Sequence, residues 1–185
     1  MRRLHQEDLC QATSLPPTRK YEAEGGPSLA RAIALVQAHT SQPLVEVRRL
    51  LAWQVFNIVA GNADGHGKNL SLVYGEAGTV LAPFYDLVST RAYPSLDRKL
   101  AMSGGGRHNP DEIGRAAWVA LSAEVGLGER VVLEIVRALT QRTLDELASW
   151  TSAFRDAHGA HPILDTVPRA ITRRARRLLR ALAPA

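Results

Sequence analysis

The sequence predicts a mainly α fold carrying one small β-hairpin, an α+β chain, and three observations predict it. Apolar residues recur at helical spacing over residues 28–60 and again from 109 onward. Two short apolar runs, 70–73 and 79–82, flank Tyr74-Gly75-Glu76-Ala77-Gly78, the composition of a hairpin turn. At 185 residues and 45% apolar content the chain is long enough for one substantial core, so residues 1–185 are expected as a single domain.

The elements follow in order. Residues 5–12 are expected as a short helix, and residues 13–27, which hold Pro16, Pro17, Gly25, Gly26 and Pro27, as a loop. A helix starts near Ser28 and buries Leu29, Ile33 and Val36. Ser41-Gln42-Pro43 separates it from a long second helix, with Leu44, Val47, Leu50, Leu51, Val55 and Ile58 on one side, which Gly61 ends. Val55 and Ile58 are expected in the core. Beyond the hairpin, residues 87–108 show little regular pattern, and Ser103-Gly104-Gly105-Gly106 predicts a mobile segment. Asn109 as N-cap, Pro110 at N1 and Glu112 at N3 open a helix to about Glu124. Gly126 and Gly128 divide it from a second with Val132, Ile135, Val136 and Leu139. A third is expected over 144–157, and a basic helix closes the chain.

Composition excludes several function classes. Cys10 is the only cysteine, so the chain can form neither an intrachain disulfide nor a thiolate metal cluster, and a cytoplasmic location is expected. The first residues lack the apolar core of a signal peptide. The longest greasy stretch, 50–60, is too short to span a bilayer and contains Gln54 and Asn57, so no membrane partner is expected. The net charge of +5 is local: residues 165–185 hold Arg169, Arg173, Arg174, Arg176, Arg177 and Arg180 against Asp165. Six minus one leaves +5, so the other residues sum to zero. Ile171, Ala175, Leu178 and Leu182 give this helix an apolar seam, and its arginine face offers a contact for tRNA, DNA or an acidic partner. The plain alternative is a solvated face on a docked helix.

Chemistry concentrates in two loops. Residues 61–69 read Gly-Asn-Ala-Asp-Gly-His-Gly-Lys-Asn, and after the hairpin the chain returns with Pro83-Phe84-Tyr85-Asp86. A calcium loop counted from Asn62 fails, because Val73 falls where an EF-hand needs its bidentate glutamate. A Walker A loop fails because the glycine spacing to Gly67-Lys68 is one too long and Asn69 stands in place of the Mg²⁺-binding hydroxyl. A metal hydrolase built on His66 with Asp64, Asp86 or His108 needs three ligands on a rigid frame, for which Asp-x-His is a weak signal. A polar turn capped by Gly61 explains the glycines. It leaves unexplained why Asp, Lys and Asn gather there and an aromatic-flanked aspartate follows the hairpin.

Phosphoryl transfer explains both. In protein kinases a catalytic-loop aspartate takes the hydroxyl proton, an asparagine five residues later binds metal, and a second metal-binding aspartate comes after a hairpin. Asp64, Asn69 and Asp86 match that order and spacing. Asp64 is therefore the candidate general base, and Asn69 and Asp86 are the candidate ligands for Mg²⁺ and its ATP. Lys68 is a candidate to neutralise charge on the transferred phosphoryl group, an exposed lysine being the plain alternative.

The wording of five segments is more specific still: His5-Gln6-Glu7-Asp8-Leu9-Cys10-Gln11, Lys20-Tyr21-Glu22-Ala23-Glu24-Gly25-Gly26-Pro27-Ser28, Asp64-Gly65-His66-Gly67-Lys68-Asn69, Pro83-Phe84-Tyr85-Asp86-Leu87 and Lys99-Leu100-Ala101-Met102. In order and spacing they resemble the C-terminal half of the HipA-like kinase family over residues 3 to about 115. The resemblance implies a fold like a kinase C-lobe and a serine/threonine kinase toxin of a type II toxin–antitoxin pair. It also implies ATP and Mg²⁺, a DNA-binding antitoxin as partner, and aminoacyl-tRNA synthetases as substrates. By position Asp64 would be the base, and Asn69 and Asp86 the metal ligands. Gly67 stands where the family more often has alanine, a change expected only to loosen the loop. About sixty residues precede the catalytic loop, they read as helix and loop, and Lys20 is their only lysine. The strand-rich lobe that covers ATP is therefore not expected here, and the chain is expected to be one lobe of such a kinase, either the product of a truncated or split gene or a piece that needs a separate N-lobe chain as partner. The competing class is a catalytically inactive module that binds an antitoxin, a synthetase or nucleic acid through the arginine helix.

Overall fold

In the computed structural model, which describes residues 3–183, the chain opens as a strand, β1 (His5–Asp8), that turns directly into a one-turn helix, α1 (Leu9–Ala12). The helix expected over 5–12 is thus only half helical. The Asp8 carboxylate accepts the Gln11 N–H and the Gln11 side chain accepts the Asp8 N–H, a reciprocal cap that starts α1 where β1 ends. The loop that follows contains a 3₁₀ turn at Glu22–Glu24.

Helix α2 (Leu29–His39) begins as expected at Ser28, whose hydroxyl accepts the Arg31 N–H. Helix α3 (Pro43–Ala60) carries Pro43 at its first turn and ends at Gly61, whose φ of 70° is left-handed. Val47, Leu50, Leu51, Trp53, Val55, Ile58 and Val59 bury α3 in the core, against α2 on one side. Leu44 shares their face but lies one turn ahead of the covered part and is 81% exposed.

The expected hairpin forms from β2 (Ser71–Gly75) and β3 (Gly78–Leu81), closed by the two residues between Gly75 and Gly78. β1 pairs antiparallel with β2 through His5↔Tyr74 and Asp8↔Ser71, giving a sheet in the order β1-β2-β3. Its Leu72 and Leu81 join the core.

The segment expected to be mobile, 103–106, is instead a pinned turn. The Glu22 carboxylate accepts both the Ser103 N–H at 2.6 Å and the Ser103 hydroxyl at 3.0 Å, and Gly104 and Arg107 exchange backbone hydrogen bonds. Glycine is required here for approach, since a Cβ on Gly105 would lie 2.0 Å from the Ala117 carbonyl oxygen.

Three helical expectations need revision. Asn109 caps only a 3₁₀ turn, Pro110–Glu112; the chain then extends through Ile113 and Gly114 before α4 (Arg115–Glu124). The interruption inserts Ile113, 3% exposed, beneath Gly104. The second and third helices expected after Gly128 are one, α5 (Glu129–His158), because no glycine or proline interrupts them. Thr140 hid the continuity: it is fully buried yet polar, its hydroxyl donating to the Val136 carbonyl at 2.7 Å.

The basic helix, α6 (Ile163–Ala181), packs on α5 and α3 through Ile171, Ala175 and Leu178, with Leu182 just beyond its end. Arg174 is buried against α3 and does not belong to the outward arginine face. Residues 184 and 185 of the stretch read as basic helix lie outside the described residues. Among the described residues no helix is long and apolar enough to cross a membrane.

Candidate active site

The site grows from the C-terminus of α3. The last carbonyls of any helix lack intrahelical partners, and here loop residues around the site and Arg174 of α6 supply them. Asn57 O accepts the Gly61 and Asn62 N–H groups. Ile58 O accepts Arg174 Nε at 2.6 Å, and Ala60 O accepts the Ser89 hydroxyl at 2.7 Å. Gly61 O accepts the Thr90 hydroxyl at 2.9 Å and the Arg91 N–H at 3.2 Å, while Thr90 Oγ1 accepts the Ala63 N–H. The end of α3 therefore binds the loop carrying Asp64 to the segment that follows Asp86.

The structure brings Asn69 and Asp86 into direct contact: Asn69 Nδ2 donates to Asp86 Oδ2 at 2.8 Å. Asn69 is buried and its Oδ1 accepts the His66 N–H. Asp86 is exposed, and its φ of 56° lies in the left-handed region, sparsely populated by any residue but glycine. Asn62 holds it there from below, donating to its carbonyl at 3.4 Å and to Asn57 Oδ1 at 3.0 Å. Upstream, the nearly buried Glu46 of α3 pairs with Arg49 at 2.7 Å. Arg49 donates to the Leu81 and Ala82 carbonyls and lies 5.2 Å from the Phe84 ring centroid, so α3 also aims the chain leaving β3.

Asp64 stands exposed in the same loop as Asn69. Its N–H is taken by Asn62 Oδ1, and its carboxylate Oδ1 accepts the Tyr21 hydroxyl at 2.8 Å. Lys68 is half-buried; its carbonyl accepts the Tyr85 hydroxyl at 2.6 Å, and its ammonium makes no hydrogen bond or ion pair among the described residues.

Tyr21 is a site residue that sequence reasoning missed, although its Lys-Tyr-Glu segment was visible as a motif. Residues 20–27 form a strap over the loop. Lys20 O accepts the Gly67 N–H, Tyr21 holds Asp64, and Glu22 ties the 101–103 segment through the Ala101 carbonyl and Ser103. Lys20 Nζ sits 4.8 Å from the Tyr21 ring centroid, a second cation beside the loop. The hydrogen bond to Asp64, after burial, pushes the Tyr21 hydroxyl above its ordinary pKa. Gly67 does not loosen the loop: a Cβ there would lie 2.5 Å from the Pro27 ring, so glycine is what lets strap and loop touch.

His66 is buried beneath Tyr21, edge-on at 5.4 Å, and its Nδ1 has no hydrogen-bond partner among the described residues. Burial first, and Lys20 second, lower its pKa below the ordinary imidazole value, which favours the neutral ring. His108 is held elsewhere, its Nδ1 2.8 Å from the Leu100 carbonyl. Among the described residues no group of three or more His, Cys, Asp and Glu gathers for a metal. The donor set is instead two hard oxygens: Asp86 Oδ1, free of protein partners among the described residues, and the remaining lone pair of Asn69 Oδ1. That set suits Mg²⁺, which keeps waters and takes phosphate oxygens, better than zinc or an all-protein calcium cage.

Residues 1–147 match the HipA-like C-terminal domain family. The chain is 41% identical over 146 residues to the putative kinase Y4mE of Sinorhizobium fredii, covering 79% of this chain and 35% of that protein. It is 29% identical over 157 residues to the serine/threonine-protein kinase toxin HipA of Shewanella oneidensis, covering 79% of this chain and 36% of that protein. A solved complex of HipA, HipB and operator DNA from Shewanella oneidensis contains a chain that superposes with a TM-score of 0.83 at 26% identity. The match covers 96% of this chain and 44% of that one. The chain spans about a third of the length of the curated relatives it matches.

Proposed function

The chain belongs to the HipA-like C-terminal domain family, and on that premise we propose that it carries the catalytic-loop and metal-binding half of a cytoplasmic serine/threonine protein kinase. The reaction is transfer of the ATP γ-phosphoryl group to a protein hydroxyl. One observation carries this reading: Asn69 bonds Asp86 at 2.8 Å, and the same short loop presents Asp64 to solvent.

In the proposed mechanism Asp64 accepts the proton of the attacking hydroxyl, with Tyr21 fixing which carboxylate oxygen faces the substrate. Asn69 and Asp86 would hold Mg²⁺, which neutralises charge on the phosphate oxygens. Lys68 and Lys20 add positive charge around the transferred group. Groups that hold adenine and the α and β phosphates would come from a segment outside residues 3–183, on this polypeptide or another. The family resemblance points to aminoacyl-tRNA synthetases as substrates and to a DNA-binding antitoxin as partner. The matched HipA chain sits with HipB and operator DNA.

A second reading, a binding module, is favoured by α6, where Arg169, Arg173, Arg176 and Arg180 line an outward groove suited to nucleic acid or an acidic partner. Calorimetric titration with ATP and Mg²⁺ separates the two. Mg²⁺-dependent binding that Asp86→Asn weakens at least tenfold supports the kinase half; equal binding by both proteins overturns it. Absence of binding by either sends the experiment to a mixture with the strand-rich half of a relative, where transfer must depend on Asp64.

A further inference from the structure

Behind the catalytic loop lies a cavity of ≈ 390 Å³ lined by five arginines whose charges act on one another, Arg91, Arg98, Arg173, Arg174 and Arg177. Two come from the segment after Asp86 and three from α6, so the cluster is a meeting of separate elements. Asp97 and Asp111 are the carboxylates in its lining, leaving a formal +3 from five minus two. Both are engaged. Asp97 accepts the Arg98 and Lys99 N–H groups at 2.6 and 3.0 Å, and Asp111 faces Arg177 at 3.5 Å. Among the described residues the guanidiniums of Arg91, Arg98 and Arg173 take part in no hydrogen bond or ion pair.

A solvated arginine face would explain side chains that point singly into water. It does not explain a cluster held from inside the fold. Arg174 is 7% exposed and anchored through Nε to Ile58 O, and Arg91 is half-buried with its N–H on Gly61 O. Their proximity is unfavourable without an anion: burial and then the Arg91 charge pull Arg174 down to about 10, and burial and then Arg98 lower Arg91. The planar donor forks of arginine match the oxygens of a phosphoryl group.

We propose that this cavity binds a phosphomonoester dianion, presented as a phosphoserine or phosphothreonine side chain of a polypeptide or as free phosphate. A nucleic-acid backbone fits it less well, because diester phosphates carry one charge each and run in rows along a surface, whereas these arginines close on one hollow. Tyr93 and Leu96, exposed on its wall, offer apolar contact to residues flanking a phosphorylated one. The proposal does not rest on the kinase reading, since binding is measured without ATP or Mg²⁺.

The test is calorimetry on the full chain at constant ionic strength, with a capped phosphoserine tripeptide, its unphosphorylated twin, inorganic phosphate and duplex DNA as probes. One phosphopeptide is expected to bind per chain, with no binding of the twin. Affinity should fall at least tenfold in Arg91→Gln/Arg98→Gln and stay within twofold in Arg48→Gln/Arg130→Gln, which removes the same charge elsewhere. Binding should weaken several-fold at pH 5, below the second phosphate pKa near 6. Tighter binding of the peptide than of phosphate assigns a polypeptide source, and equal binding assigns free phosphate; either upholds the site. No binding, equal loss in both double variants, or preference for DNA that the first double variant removes overturns it. Should that double variant fail to fold, Arg98→Gln alone, at an exposed position, carries the test with an expected loss of about threefold or more.

Discussion

The two sides of the C-terminus of α3 are made from the same material, carbonyls that need donors, yet they end with opposite charge. On one side the loops present Asp64 and Asp86; on the other, the Arg174 guanidinium closes over Ile58 O and the Arg91 backbone N–H over Gly61 O. A helix C-terminus carries partial negative charge and favours cations. The arginine side follows that preference, and one arginine would satisfy it. The acidic side runs against it. Its carboxylates are held there by Tyr21 and Asn69, while Asn62 donates to the Asp86 backbone carbonyl and Asp86 adopts a left-handed backbone. Carboxylates placed against the local field, one of them on a left-handed backbone, are what the proposed site requires if function is to override stability there.

The sharpest way to break the contrast is to neutralise the acidic side. In an assembly that transfers phosphate, Asp64→Asn should lower the rate by about 10²–10⁴-fold, the usual worth of a positioned general base. Both it and Asp86→Asn should leave the melting temperature unchanged or slightly higher, because removing a carboxylate near a helix C-terminus relieves repulsion. Transfer assays beside thermal melts check both. A large loss of stability in either variant would mean the acids are structural. Removing the support common to both sides comes next. Ile58 is 2% exposed in the last turn of α3, and Ile58→Ala should cost roughly 2–5 kcal/mol in urea unfolding.

The acidic side was largely legible in the sequence and the arginine side was not, for a physical reason. Asp64, Asn69 and Asp86 lie at fixed short spacings around a hairpin whose turn is written in Gly75 and Gly78, and Gly61 announces the end of α3. Those signals are local. β1 exists only because Ser71–Tyr74 offers it a partner, so residues 5–8 alone read as helix. Tyr21 meets Asp64 across 43 positions, and Arg174 meets Ile58 across 116. No periodicity reports such pairings. The break at Ile113 was missed likewise, since its burial decided it against the local pattern; the continuity of α5 was written in the lack of glycine and proline over 129–158 but masked by the buried, polar Thr140.

A smaller change tests whether the strap, more than the loop itself, positions Asp64. Adding one methyl in Gly67→Ala forces the Pro27 ring, 2.5 Å from the new Cβ, away from the loop. The expected cost is about 1–3 kcal/mol, with a lower transfer rate that Tyr21→Phe should reproduce without the loss of stability. If Gly67→Ala were neutral in unfolding, the contact between strap and loop would not be close in solution.

The smallest effect, and the one that isolates the interior of the acidic side, is a pH slope. His66 is buried under Tyr21 with Nδ1 unpaired, and burial lowers its pKa below the ordinary value near 6.5. The unfolded chain therefore binds the His66 proton more readily than the folded chain. That contribution to stability is fully present above about pH 6.5 and is lost as pH falls from there toward the lower folded pKa. Replacing the ring by His66→Asn should flatten this part of the stability curve, read as urea midpoints between pH 7.5 and 5. A mutant slope equal to that of the wild type would show that other groups carry it, and that the imidazole is more open to water than its place beneath Tyr21 implies.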